Sequence, residues 1–94
     1  MNTLIFMKKT PKELNMTIAN RIVKIRKRRK ISQKVLSAKS GVSLGSLKRF
    51  EQTGEISLLS LSKIAIALEI DGELESLFEN VPFLSIEEII NEQN

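Results

Sequence analysis

The sequence predicts an all-α domain of five or six short helices, and three observations lead to this fold class. Hydroxyl or carboxylate residues stand before segments whose apolar residues recur every three or four positions, the spacing of one helix face. Gly41 and Gly54 follow two of these segments, where they suit a left-handed helix end. Alternation typical of β-strands is weak outside residues 3–7.

The first helix is predicted to begin at Thr10. Its hydroxyl is a capping group, Pro11 suits the first helical position, and Glu13 completes a capping box. One apolar stripe then runs as far as about Arg29, through Leu14, Ile18, Ile22 and Ile25. The alternative is a break near residues 15–17, where a second cap could restart the helix.

The second helix is predicted over residues 33–40, with Ser32 as its N-cap and Gly41 as its end. Only Val42 and Ser43 separate it from the next apolar pattern. Because the glycine turns the chain and Val42 fills the gap, the two helices are expected to meet at a steep angle. This is the helix-turn-helix arrangement.

The third helix is predicted to begin after Ser43 and to end at Gly54, with Leu47 and Phe50 facing inward. Ser57 begins a fourth helix, Asp71 caps a fifth, and Ser85 heads a short sixth. The fourth helix has Leu61, Ile64, Ala65 and Leu68 on one face, the fifth carries Leu74, Leu77 and Phe78, and the sixth has Ile86, Ile89 and Ile90 on one side.

Composition narrows the possible functions. A chain of 94 residues is long enough for one domain with a modest core. It has no cysteine and no histidine, so thiolate metal sites and the usual general base are missing, and we expect neither a metal nor a cofactor. Its apolar runs are too short to span a bilayer, and no secretory signal is recognisable. The sequence therefore predicts a cytoplasmic protein that is not an enzyme.

Charge is distributed unevenly along the chain. Residues 1–50 carry fourteen lysines and arginines against Glu13 alone, for a net charge of +13. Residues 51–94 carry Lys63 against ten acidic residues, for a net charge of −9. The basic half suggests a polyanionic partner, and the acidic half suggests either a different task or simple solubility. A solvated charged face without a partner is the alternative.

The segment from Ser32 to Gly54 carries a recognisable motif. It runs Ser-Gln-x-x-Leu-x-x-x-Ser-Gly-Val-Ser-x-x-x-Leu-x-Arg-Phe-Glu-x-x-Gly, and it closely resembles the lambda-repressor and Cro-like (XRE-type) family of regulators. The resemblance covers about residues 17–79 and implies a lambda-repressor-like fold that binds double-stranded DNA. Ser37 replaces the alanine usual in the motif, but it is small enough to preserve the helix crossing.

The resemblance implies roles for individual residues. The third helix enters the major groove in this family, which implies contacts to bases from Ser43, Leu44, Gly45, Ser46 and Arg49. Contacts to phosphates are implied or expected from Gln33, Lys34, Lys48, Lys27 and Arg28. The alternatives are a plain helix-start residue for Gln33 and a solvated surface charge for Arg49.

Two positions depart from the family pattern. Leu44 and Gly45 stand where polar side chains often reach base edges, so hydrogen-bonding readout is reduced. Leu44 could contact a thymine methyl group, and Gly45 would allow close approach of the backbone. Arg49 then becomes the best candidate to read guanine through its bidentate fork.

Arg26 differs from the basic residues around it. It matches a family arginine that pairs internally with a glutamate, here Glu51, and it is the one member of its basic cluster with a matching acid. The neighbouring run of residues 27–30 should attract phosphates, although an acidic protein or an anionic membrane is an alternative partner.

The organisation predicted from these patterns is an N-terminal segment (1–16), a DNA-binding domain (17–79) and a C-terminal extension (80–94). Apolar residues near the end, Ile86, Ile89 and Ile90, are expected to close a homodimer, with residues 4–7 as an added strand or flap. Packing of the last helix on its own domain is the alternative.

Two rival functions are also compatible with the sequence. The acidic tail loosely resembles those of antitoxins encoded beside HipA-type kinase toxins, which implies a toxin protein as a further partner. An enzyme would need acid and base groups such as Glu87 with Glu88 or Asp71 with Glu73. Adjacent helical carboxylates point apart, however, and capping explains Asp71 better.

Overall fold

The computed structural model describes residues 8–80 and 90–91, and within these residues the regular elements are all helical. In chain order the five helices of residues 8–80 are α1 (Pro11–Arg28), α2 (Gln33–Ser40), α3 (Leu44–Thr53), α4 (Leu58–Ala67) and α5 (Asp71–Glu75). The predicted all-α class is confirmed.

Helix α1 begins where its capping box was predicted. The Thr10 hydroxyl accepts the Glu13 amide at 3.1 Å, and the Glu13 carboxylate accepts the Thr10 amide at 3.2 Å. The helix runs through residues 15–17 without a break, so it crosses the boundary predicted between residues 16 and 17. It ends at Arg28, and Lys30 then adopts a left-handed conformation with φ of 55°.

One core joins the helices. Helix α1 packs against α3, α2 packs against both α3 and α4, and α5 packs against α4. Removal of apolar side chains from water between these helices is the main force that holds the fold together. The buried core residues are Ala19, Ile22, Leu36, Val42, Leu47, Phe50, Ile64, Ala65 and Leu68.

The apolar stripe predicted for α1 is buried only in its second half. Ile22 belongs to the core, whereas Leu14 is 52% exposed and Ile18 is 42% exposed. Helix α1 meets α3 from about Asn15 onward, where the backbone of Gly54 approaches it. The first turns therefore extend past the core, although their sequence continues the same periodicity.

The start of α5 differs from the prediction, because Asp71 is its first helical residue and not its cap. The N-cap is Ile70, which forms no side-chain capping bond. Glu69 adopts a left-handed conformation with φ of 59°, and the Ile70 amide bonds back to the Ala65 carbonyl at 2.9 Å. Ile70 thus takes part in the end of α4 and is also the N-cap of α5. The negative charge of Asp71 suits the positive end of the α5 dipole.

Leu77 and Phe78, which the predicted fifth helix was expected to carry, lie at the surface beyond the end of α5. Leu77 is 53% exposed and Phe78 is 84% exposed. Helix α5 ends at Glu75 after five residues, and Phe78 adopts a left-handed conformation with φ of 59°. The helix therefore ends before the two residues that it was predicted to carry.

Several predictions lie partly or wholly outside the described residues. These are the strand-like alternation of residues 3–7, the added strand or flap at residues 4–7, the sixth helix from Ser85, and the dimer contacts of Ile86 and Ile89. Within the described part, residues 90–91 are helical, and Ile90 is 51% exposed. No helix of the described part is long and apolar enough to cross a bilayer.

Candidate nucleic-acid interface

The turn between α2 and α3 is held by short-range hydrogen bonds. Ser32 caps α2 by accepting the Val35 amide at 3.1 Å, and Gly41 ends the helix with φ of 78°. The Ser37 hydroxyl then donates to the Val42 carbonyl at 2.6 Å. The serine that departs from the family pattern therefore fastens the turn as well as fitting into it.

Helix α3 is anchored along one face and exposed along the other. Leu47 and Phe50 are almost completely buried, and Ser43 caps the helix by accepting the Ser46 amide at 3.1 Å. The predicted contact residues on the opposite face are exposed, namely Gly45, Ser46, Lys48 and Arg49, while Leu44 is half-buried. The buried residues therefore fix the position of α3, and its opposite face is exposed to solvent.

Ser43 is engaged within the helix start. Besides accepting the Ser46 amide, its hydroxyl donates to the Ser46 hydroxyl oxygen at 2.8 Å. The Ser43 hydroxyl is therefore engaged in capping, while Ser46 lies on the exposed face of the helix.

The structure brings Arg26 and Glu51 together in a bidentate pair. The Arg26 Nε and Nη2 atoms each donate to the Glu51 carboxylate at 2.8 Å, and its Nη1 atom donates to the Ile31 carbonyl at 2.9 Å. The two side chains are only 10% and 7% exposed. Since a buried charge needs a partner, this geometry satisfies both groups and fastens α3 to the end of α1.

Gln33 joins the same cluster, which sequence reasoning missed. Its Nε2 atom donates to the Glu51 Oε1 atom at 2.9 Å. Gln33 and Glu51 lie eighteen positions apart in the sequence, and no local sequence pattern predicts a contact over such a separation. The side chain expected at a DNA phosphate therefore has an internal partner that fixes its position at the start of α2.

Arg49 also has an acidic neighbour that was not predicted. Its Nε and Nη2 atoms donate to the Glu55 Oε2 atom at 3.0 and 2.6 Å. Both side chains remain largely exposed. Hydrogen bonds from Arg49 are the main reason that the pKa of the Glu55 carboxyl lies below its ordinary value of 4.5.

The predicted phosphate-contacting side chains lie at the surface. Lys27, Arg28, Lys34 and Lys48 are exposed, and the first two line a shallow depression of about 410 Å³ with Asn20, Val23 and Lys24. Arg29 reaches Glu69 at 3.7 Å, so Arg26 is not the one member of its cluster with an acidic partner. That contact joins α1 to the segment after α4 and lies too far apart in sequence to be predicted.

This arrangement defines a class of protein. Two short helices joined by a tight glycine turn, the second exposed along one face and flanked by exposed basic residues, form a DNA-binding helix-turn-helix. The family model described as helix-turn-helix matches residues 22–74, more than half of the chain. The chain therefore belongs to this helix-turn-helix family, the lambda-repressor and Cro-like group of DNA-binding transcriptional regulators. No curated protein and no solved structure matches the chain significantly.

Proposed function

We propose that this protein recognises specific sequences in double-stranded DNA with α3 and represses transcription by occupying its operator. The observation that carries the proposal is the exposed face of α3, which presents Gly45, Ser46, Lys48 and Arg49 from a helix fixed by buried residues. The major groove is about 12 Å wide and admits one α-helix. Repression by occupancy requires no more than such binding.

Contacts to the DNA backbone are proposed on either side of α3. Lys27 and Arg28 near the end of α1, Lys34 in α2 and Lys48 in α3 are exposed cations suited to phosphates. The start of α2 adds Gln33, whose amide is already positioned by Glu51. A helix N-terminus favours an anion because its first amides lack partners within the helix.

The direct experiment is selection from random duplexes. The protein is mixed with a pool of randomised double-stranded DNA, the retained duplexes are amplified over successive rounds, and the product is sequenced. Enrichment of one common sequence, with affinity far above that for a scrambled duplex at the same salt concentration, supports the proposal. Retention without a common sequence would reduce the function to nonspecific binding.

We further propose that the protein binds a two-fold symmetric operator as a homodimer. Symmetric readers place their two recognition helices about one helical turn of DNA apart. Ile90, which the sequence predicts in the contact between subunits, is exposed and so available to a second copy of the chain. Sedimentation at micromolar concentration, followed by Ile90→Glu, tests this assembly. A wild-type monomer that binds a single half-site would contradict it.

The surface after α4 favours a second candidate, an antitoxin that binds a toxin protein and regulates its own promoter. Leu77 and Phe78 are exposed among the acidic residues Glu73, Glu75 and Glu79. Exposed apolar side chains flanked in the sequence by exposed acidic residues suit a basic protein surface. Co-expression with the product of a neighbouring gene tests this role. Loss of protection in a Leu77→Ser, Phe78→Ser variant that still binds DNA would support it, and unchanged protection would oppose it.

A further inference from the structure

Glu55 lies beside the exposed face of α3 although it follows the end of that helix. Its Oε2 atom accepts hydrogen bonds from the Nε and Nη2 atoms of Arg49. These two nitrogens form the side edge of the guanidinium group. The carboxylate therefore occupies one edge of the side chain that is the best candidate for reading guanine.

The backbone holds Glu55 in this position. Gly54 adopts φ of 80° and turns the chain back toward the helix it has just left. The Glu55 amide donates to the Thr53 hydroxyl at 3.2 Å, and this hydroxyl donates to the Arg49 carbonyl at 2.7 Å. Arg49 and Glu55 are thus linked twice, once through their side chains and once through Thr53.

Enough of the Arg49 guanidinium remains available for DNA. The group carries five N–H bonds, and Glu55 takes two of them along the side edge. The adjacent end edge, formed by Nη1 and Nη2, keeps two parallel N–H bonds, one from each nitrogen. Guanine presents O6 and N7 in the major groove, and two such donors match them. The pair therefore leaves a reading edge and restricts how the side chain rotates.

We propose that Glu55 is a specificity-determining residue of the DNA-binding site, one that positions Arg49 so that its free edge meets guanine. The proposal rests on the function proposed above. It includes a second effect of the same carboxylate, which partly neutralises Arg49 and repels phosphates. Contacts of Arg49 with DNA of random sequence are thereby weakened, and the contact with guanine is retained.

The exposure of the pair shows where its effect should be measured. The Arg49 and Glu55 side chains are 69% and 60% exposed, and ion pairs this exposed contribute little to folding stability. When DNA covers the pair, water is excluded and the interaction strengthens. Removal of Glu55 should therefore change DNA discrimination while the melting temperature stays close to that of the wild type.

The test compares Glu55→Gln with wild type on two duplexes of equal length, the sequence enriched by selection and a scrambled version of it. We expect the variant to bind the scrambled duplex about two- to fivefold more tightly, because one negative charge is lost near the phosphates. The ratio of the two affinities should fall about five- to tenfold, part of the discrimination that one bidentate base contact provides.

Two controls separate positioning from charge. Glu75→Gln removes the same charge on α5, which packs against α4, and should leave the ratio unchanged. In an Arg49→Ala background, Glu55→Gln should also leave the ratio unchanged, because the side chain that Glu55 positions is gone. An unchanged ratio in the single variant, or an equal fall in the Arg49→Ala background, would overturn the inference. Failure of the proposed function is a different result, in which wild type selects no common sequence.

Discussion

Gln33 and Glu51 are joined by a hydrogen bond of 2.9 Å between the amide Nε2 atom and the carboxylate Oε1 atom. Because Glu51 also binds Arg26, one carboxylate connects α1, α2 and α3. The start of α2, proposed to meet a phosphate, is therefore fixed relative to α3, proposed to meet the bases. Preorganisation of this kind reduces the ordering that DNA binding would otherwise require.

Replacing Arg26 by leucine should destabilise the domain by about 3 kcal/mol, because it leaves the Glu51 carboxylate buried without its cation. The measurement is the free energy of unfolding from urea titration. Arg29→Leu is the matched control. Its contact with Glu69 is 3.7 Å long and exposed, so its loss should cost less than about 1 kcal/mol. Equal costs for the two variants would contradict the importance given to the buried pair.

Alanine should be tolerated less well at Gly54 than at Gly41. Both residues have a left-handed backbone, with φ of 80° and 78°, so both substitutions should cost about 1 to 2 kcal/mol in backbone strain. An added Cβ at Gly54 would also lie 2.8 Å from the Asn15 backbone, whereas Gly41 faces open space. We expect a further 1 to 3 kcal/mol or so at Gly54 from this overlap.

The comparison of the two melting temperatures checks this prediction directly. Similar melting temperatures for Gly54→Ala and Gly41→Ala would mean that the backbone of α1 moves away from the added Cβ at Gly54 without loss of stability. A larger fall in melting temperature for Gly41→Ala than for Gly54→Ala would contradict the prediction.

Arg49→Ala should weaken binding to the selected duplex by about 1 to 3 kcal/mol and binding to a scrambled duplex much less, because a base contact is lost. Lys27→Ala is the contrasting variant. It should weaken both duplexes similarly and lower the slope of affinity against salt by about one unit, because a phosphate contact is lost. One titration series over several salt concentrations distinguishes the two effects. An equal loss on both duplexes for Arg49→Ala would remove α3 as the reading helix.

Stability should fall slightly as the pH drops below about 4.5 through the titration of Glu13 and Glu55, since the interactions of such exposed carboxylates contribute little. Hydrogen bonds with Thr10 lower the pKa of Glu13, and those from Arg49 lower the pKa of Glu55, both from an ordinary value of 4.5. In this range the unfolded chain binds more protons than the folded one, so acid favours unfolding. The contribution is fully present above 4.5 and is lost as pH falls through the lowered values.

Melting temperatures between about pH 6 and about pH 3 check this dependence. The double variant Glu13→Gln, Glu55→Gln should lose less stability over the same range than wild type. A wild type and a double variant with the same pH dependence would show that neither carboxyl contributes.

Helix boundaries were the most predictable part of this structure. Thr10, Ser32, Ser43 and Ser57 each cap the helix that the sequence assigned to them, because capping involves residues only two or three positions apart. The prediction that Asp71 is an N-cap was wrong, because a local capping preference takes no account of the preceding helix. The Ile70 amide is hydrogen-bonded to the Ala65 carbonyl at the end of α4, and Ile70 is the N-cap.

The candidate site was predictable in outline but not in its internal contacts. Buried Leu47 and Phe50 and the exposed positions between them follow from helical periodicity. The hydrogen bond from Gln33 to Glu51 links different helices, and nothing local specifies it. The Arg49 to Glu55 pair spans only six residues, but it depends on how Gly54 turns the chain.

The residues that hold α3 in place are different from the residues on its exposed face, so the exposed face can change independently of the fold. Ser43 starts the helix, Gly54 ends it, and Leu47, Phe50 and Glu51 attach it to the domain. The exposed residues of the same helix neither cap it nor attach it to the core. Substitutions at such surface positions usually change stability by only about 0.5 kcal/mol. New binding preferences could therefore arise by substitution along this face in laboratory evolution or in nature, with the rest of the domain unaltered.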